Sequence, residues 1–179
     1  MTRKIILNLA ISLDGFIADS EGSFAWIKGD GDTSYDTKKK FNFEAFMNTV
    51  DIVVMGKLAF LDCPKETLDT FKDKAIYVAT NGELETEYTN VKFIKGDIVS
   101  QITTLQKEDG KDIWLFGGAG LTDFFIKADV IDEYVIGYIP IILGKGRPLF
   151  LKDNPTLDLH LEEVTSQEGI VIMIYTRRS

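Results

Sequence analysis

The 179-residue chain has one cysteine, Cys63, and one histidine, His160. A single cysteine excludes an intrachain disulfide. One Cys and one His far apart in sequence cannot build a Cys/His zinc cluster, so no metal is expected. His160 alternates with Leu157, Leu159 and Leu161, the pattern of a surface or hairpin position rather than of a catalytic base. No apolar run approaches the ~18 residues that a spanning helix needs. The N-terminus runs from Arg3-Lys4 directly into an apolar strand containing Asn8, without the apolar core and small-residue cleavage site of a signal peptide. A cytoplasmic protein is expected. Positive charge is scarce: 20 Lys plus Arg stand against 28 Asp plus Glu, a formal charge of -8. A surface this acidic repels nucleic acid and anionic membranes, so neither is an expected partner.

The chain does have enough apolar residues, 45%, to bury a sizeable core within one domain spanning 1–179. Strands are expected at residues 5–11, 16–18, 51–55, 74–79, 91–94, 113–116 and 131–139, with a closing antiparallel hairpin at about 157–165 and 170–177. Helices are expected over 35–49, where Phe43, Phe46 and Met47 form a stripe, and over 119–127. A further helix runs from the N-cap Asp97 to Lys107. Gly56-Lys57 opens a short helical turn through Leu61, and Pro64 starts an irregular piece. The long polar loop 19–34 reads as functional or mobile on its length. Strands alternating with helices, then strands in succession, predict an α/β fold with a mostly parallel central sheet and a C-terminal antiparallel hairpin.

The most suggestive stretch is the turn Gly117-Gly118-Ala119-Gly120 between a strand and a helix. Its glycines permit a tight turn and a close backbone approach by another molecule. The following helix begins with unpaired N–H groups and a positive dipole end, which can hold a phosphate. A glycine turn between strand and helix also serves simply as a turn. It is not the G-x-G-x-x-G fingerprint, and no acidic residue follows about 20 residues on. Gly56-Lys57 lacks the rest of a P-loop. Asp30, Asp32 and Ser34 are followed by Tyr35 and Phe41 where a calcium loop needs Gly and Glu. No G-x-S-x-G elbow is present.

Several segments recur in a meaningful order: Asn8-Leu-Ala-Ile-Ser-Leu-Asp-Gly-Phe-Ile-Ala18, Val54-Met-Gly-Lys57, Ile76-Tyr-Val-Ala-Thr-Asn81, the glycine turn, Asp132-Glu-Tyr-Val-Ile136 and Ile139-Pro-Ile-Ile-Leu-Gly144. Together they resemble the dihydrofolate reductase-like superfamily over residues 4–176. The match is to the branch holding the reductase domain of riboflavin biosynthesis and its small stand-alone relatives. The resemblance implies a three-layer fold with helices on both faces of the sheet. It implies an NADPH-dependent reductase (NADH not excluded) of a small heterocyclic or carbonyl substrate. The best-matched named activity is reduction of 5-amino-6-(5-phosphoribosylamino)uracil. By position, Ala10 and Ile11 would contact the nicotinamide end through backbone groups, with Gly15 to Ile17 flanking it. Gly56, Lys57 and Leu58 would touch the adenosine side. Thr80 and Asn81 would bond a 2′-phosphate. The pyrophosphate would lie along Phe116, Gly117, Gly118, Ala119, Gly120 and Leu121. The resemblance also implies a homodimer, and the apolar stretch 134–143 reads either as a buried central strand or as a pairing region between subunits.

The departures from the family pattern are specific. Lys57 replaces an Arg and offers no bidentate fork to a phosphate. Ala59 replaces a Thr. The first-helix carboxylate of dihydrofolate reductases proper falls near Lys40, with Asp36 and Glu44 a turn away on either side. Dihydrofolate reduction is therefore disfavoured, and a non-catalytic nucleotide-binding sensor is the competing class. No deaminase domain is expected, so a riboflavin role would need a separate deaminase. Lys28 and Arg147 are candidates for a ribose phosphate, although both read as solvated loop residues. Trp26 reads as a lid over the nicotinamide or as an anchor of its loop. Asp14 reads as a substrate-polarising group or a turn-forming one. No catalytic residue is assigned.

Overall fold

Both edges of strand β1 (Ile5–Ser12) are used, which puts it in the middle of the molecule. The computed structural model describes residues 2–178. In it β1 runs parallel to β6 (Asp112–Gly117) on one side and to β7 (Glu133–Ile139) on the other. Strands covered on both faces read as near-continuous apolar runs, as Ile5-Ile6-Leu7 and Ile113-Trp114-Leu115 do. The eight-stranded sheet continues beyond β6 with β3 (Val50–Gly56), β4 (Ala75–Ala79) and β5 (Val91–Ile94), all parallel. Beyond β7 come β10 (Ile170–Arg177), antiparallel, and β9 (Leu159–Gln167) at the edge. Two short strands, β2 (Phe16–Ala18) and β8 (Arg147–Pro148), pair separately.

Alternation along each strand feeds two cores. Leu7, Ile11 and Leu115 pack with Ile102 of α4 (Ile98–Leu105) and with Leu121 and Phe125 of α5 (Ala119–Lys127). Ile6, Val53 and Trp114 face the other way. They meet Phe46 of α1 (Phe43–Thr49), Phe60 of α2 (Lys57–Asp62) and Leu68 of α3 (Lys65–Asp69). Trp114 is the hub of this second core. Its ring meets Phe43, Phe46 and Phe71 edge-on at 5.7, 5.3 and 5.6 Å, and its indole N–H donates to the Asn8 carbonyl at 2.9 Å. Such edge contacts add to the area term.

Most expected elements occur, differing by a residue or two at their ends. The helix expected over 35–49 is a correction: it begins only at Phe43, with Asn42 as its N-cap accepting from the Ala45 amide at 2.9 Å. The preceding residues are claimed by the tip of the β9–β10 hairpin. The Thr37 amide donates to the Ser166 carbonyl at 3.0 Å, and the Asp36 carboxylate accepts from the Glu168 amide at 2.7 Å. Asp30 joins the same tip, its amide donating to the Glu168 carbonyl at 2.8 Å. Those tertiary bonds outweigh helical propensity, which is a small term per residue. The piece after Pro64 is not irregular: the Thr67 and Leu68 amides donate to the Pro64 carbonyl and start α3. The apolar 134–143 stretch contributes β7, a strand with both edges occupied, so it does not serve as a free pairing edge.

Truncating the hub should be costly. Trp114→Ala is expected to destabilise the fold by about 3–5 kcal/mol, as large-to-small core changes do, read as a lowered midpoint in urea denaturation.

Candidate functional site

Six parallel strands direct their carboxyl ends to one edge of the sheet, where open α/β folds place ligands. A cleft of about 1360 Å³ lies there, lined by Ala10 at the end of β1, Gly56 after β3, Thr80 after β4, Gly118 after β6 and Ile139 of β7. One end of the cleft is polar and rich in backbone. Gly118 is the N-cap of α5 and supplies no side-chain cap, so the first amides of the helix have no intrahelical acceptor. Gly117 sits at φ 113°, a backbone conformation that favours glycine. The peptide bond between Gly117 and Gly118 is cis. A β-carbon placed on Gly120 would meet nothing within 4 Å. Beside this turn, the buried Thr80 hydroxyl accepts from the Gly82 amide at 3.1 Å, and the exposed Lys57 ammonium lies 3.8 Å from where a Gly82 β-carbon would be.

The other end of the cleft is apolar and aromatic. Phe24, Ile27, Phe41, Phe43, Trp114 and Ile172 line it, with the Phe43 ring edge-on to Trp114 at 5.7 Å. Its ionisable groups are few. Asp62 and Arg147 form an ion pair at 2.7 Å. Burial pushes the Cys63 thiol up to about 11, so it stays protonated and is a poor nucleophile at neutral pH.

Of the residues singled out from sequence, the cleft brings together Ala10, Ile17, Gly56, Lys57, Leu58, Thr80, Asn81, Phe116, Gly118, Ala119, Gly120 and Leu121. Ile11 is not among its lining: β-alternation sends the side chain into the α5-side core. Gly15 lies in the turn after β1, where its carbonyl accepts from the Leu149 amide at 2.9 Å. Gly117 is buried and shapes the turn from beneath. Three candidates for substrate or lid roles are engaged elsewhere. The Asp14 carboxylate accepts from the Ser12 hydroxyl at 2.6 Å and from the Leu143 and Gly144 amides at 3.1 and 2.7 Å. Trp26 is buried, its indole donating to the Ser23 carbonyl at 2.9 Å, which makes it an anchor of its loop. Asp36 pairs with Lys40 and holds the hairpin tip. Lys28 does not line the cleft; Arg147 does. The aromatic wall went unread in the sequence. Its signal was the presence of Phe24, Ile27 and Phe41 in an otherwise polar segment.

The Asp14 clamp has a pH signature. The Ser12 hydroxyl and the two backbone amides hold its carboxyl below its ordinary value of 3.8. A lowered folded-state pKa contributes stability above the unfolded value and loses it as pH falls through the folded one. The Leu143 and Gly144 amide resonances should therefore keep their clamped shifts at neutral pH and move only below the ordinary Asp range. Asp14→Ala should abolish that transition in the same NMR titration.

Comparison with known proteins gives a consistent relationship. The family model described as RibD C-terminal domain matches residues 48–172. The uncharacterized protein YwjB of Bacillus subtilis (strain 168) is 34% identical over 183 residues, covering 100% of both chains. A candidate riboflavin biosynthesis protein from Shewanella sp. PV-4 superposes with a TM-score of 0.78 at 28% identity, over 98% of this chain and 99% of that one. The dihydrofolate reductase of Enterococcus faecalis, solved with NADP(H) and RAB-propyl, shares the fold, with a TM-score of 0.65 at 13% identity, over 100% and 99% of the two chains. The strand order, the cleft at the parallel carboxyl edge and these matches together assign the chain: it belongs to the RibD C-terminal domain family.

Proposed function

We propose that the protein is an NADPH-dependent reductase of a small planar heterocycle. The observation that carries this reading is the continuity of one cleft. A capless helix N-terminus in a glycine turn opens directly into an aromatic compartment. The α5 amides suit a pyrophosphate. Lys57 and Thr80 suit a 2′-phosphate, with Lys57 acting as a point charge. Ala10 and Ile17 flank the position between the polar and apolar ends. The cofactor, when bound, supplies the hydride. The aromatic wall excludes water from the reacting centre and so strengthens the fixed dipoles around it. Among the described lining residues the only carboxylate, Asp62, is tied to Arg147. In this reading water supplies the proton that accompanies reduction. Family membership makes 5-amino-6-(5-phosphoribosylamino)uracil the reference substrate. A homodimer, proposed from the same relationship, would use a surface other than β7.

Direct titration with NADPH and NADH tests the reading, with quenching of Trp114 in the cleft as the signal. Lys57→Ala should weaken NADPH by about tenfold, the scale of one charge-assisted contact, and leave NADH nearly unchanged. Equal loss for both would remove Lys57 from the 2′-phosphate site. A β-carbon at Gly118 would lie 3.9 Å from Ile17, so the fold can accept a side chain there. Gly118→Val should keep the native circular dichroism spectrum and lose both cofactors; unchanged affinity in the folded variant would mean the pyrophosphate site is elsewhere. NADPH bound but never oxidised across a heterocycle panel would instead make the protein a binding module.

A further inference from the structure

The corner of the cleft that holds Lys57 also holds a reactive dipeptide. Of the asparagines in the chain, only Asn81 is followed by glycine. Asn81 lies in an exposed bend after β4 and lines the cleft. The side-chain bonds of that bend run between Thr80 and Gly82, the Gly82 amide donating to the Thr80 hydroxyl at 3.1 Å. The Asn81 carboxamide takes no part in them.

A carboxamide of this kind is open to attack by the backbone nitrogen of the next residue when both can approach. Glycine lacks the β-carbon that would crowd the approach, and its backbone is adaptable. The other asparagines each lack a requirement. Asn8 lies in β1 and Asn48 in α1, where the backbone is fixed. The Asn42 and Asn90 side chains are held by hydrogen bonds. Asn154 precedes Pro155, whose nitrogen has no hydrogen to lose.

We propose that Asn81 is a site of spontaneous deamidation, and that its conversion to a carboxylate weakens the binding of a cofactor carrying a 2′-phosphate. The Gly82 nitrogen loses its proton and bonds to Cγ of Asn81, closing a cyclic imide. The side-chain nitrogen takes up a proton and leaves as ammonia. Water then opens the imide at either carbonyl, giving aspartate or isoaspartate. An amide and water become an acid and ammonia, with no oxidant or reductant. The bond from the Gly82 amide to Thr80 sets the pace, because the attack waits on its opening.

The consequence rests on the reading of Lys57 and Thr80 as the 2′-phosphate site. The new carboxylate stands next to Gly82, and the Lys57 ammonium lies 3.8 Å from where a Gly82 β-carbon would be. It attracts Lys57 and repels a phosphate at the same corner. NADH, which has no phosphate there, is spared. The dipeptide is thus a timer that moves an ageing chain from NADPH toward NADH.

The test incubates the full chain for days at neutral pH and maps its peptides by mass, with an isoaspartyl methyltransferase assay for the rearranged product. Asn81 should convert while the other asparagines stay intact. In Gly82→Ala the new β-carbon meets Lys57 and Thr80 at 3.8 and 3.9 Å, ordinary contacts, and conversion should slow severalfold. An Asn81 amide that persists in the native chain, or equal conversion in Gly82→Ala, overturns the modification site. Asn81→Asp reproduces the aspartate product. It should weaken NADPH by about tenfold, the scale of one charge-assisted contact, with NADH nearly unchanged and the loss shrinking at high salt. Asn81→Ala, which removes the amide without adding charge, should lose clearly less. Native NADPH affinity in Asn81→Asp, or an equal loss in Asn81→Ala, overturns the charge effect. A native chain that binds no NADPH overturns the cofactor reading instead, and the peptide map still decides the chemistry at Asn81.

Discussion

The parallel pairing of β1 with β6 on one side and β7 on the other is the constraint on which the rest depends. Because strand order departs in both directions from β1, connections leave a crevice there, at the carboxyl ends of the strands. The same alignment carries Ala10, Gly56, Thr80, Gly118 and Ile139 to a single edge although they are scattered along the chain. An antiparallel neighbour at β6 would have sent the glycine turn to the opposite end of the sheet. The single antiparallel member of the inner sheet, β10, lies on the far side of β7, where it contributes a wall and no strand-end turn to the polar corner.

Two kinds of chemistry share the cleft because the two sides of β1 are covered differently. Toward β3, β4 and β5 the strand ends meet α2 and α5, and backbone amides and glycines predominate. At the aromatic end, loop residues such as Phe24 and Phe41 join Trp114 and Ile172 in the lining. Orientation can come from the first region and exclusion of water from the second. This division also accounts for the few ionisable groups in the described lining of the cleft. The carboxylates that sequence suggested, Asp14 and Asp36, are consumed in tying loops together.

Much of this was legible in the residues. The apolar runs at Ile5 and Ile113, the Asp97 N-cap and the glycine turn before α5 are local signals, and each formed the element it predicted. What stayed hidden was non-local. The segment 35–42 carries nothing that forbids a helix, and its bonds to Ser166 and Glu168 hold it in another conformation. Ile11 was expected to meet a cofactor through its backbone groups, and its side chain lies with Leu7 in the α5-side core. The aromatic compartment is assembled from a loop, a helix start and two strands, so no window of sequence contains it.

The bonds between residues 30–37 and the hairpin tip have a mechanical meaning. Thr37, Asp36 and Asp30 join a loop to a strand turn that lies more than a hundred positions away in the chain. Phe41 and Ile172, which both line the cleft, are each a few residues from that junction. The junction therefore ties two parts of the lining together through residues that do not themselves line the cleft. Among related chains, insertions or deletions at the hairpin tip would act as changes of gauge, admitting thicker or thinner ring systems while every lining side chain stayed the same.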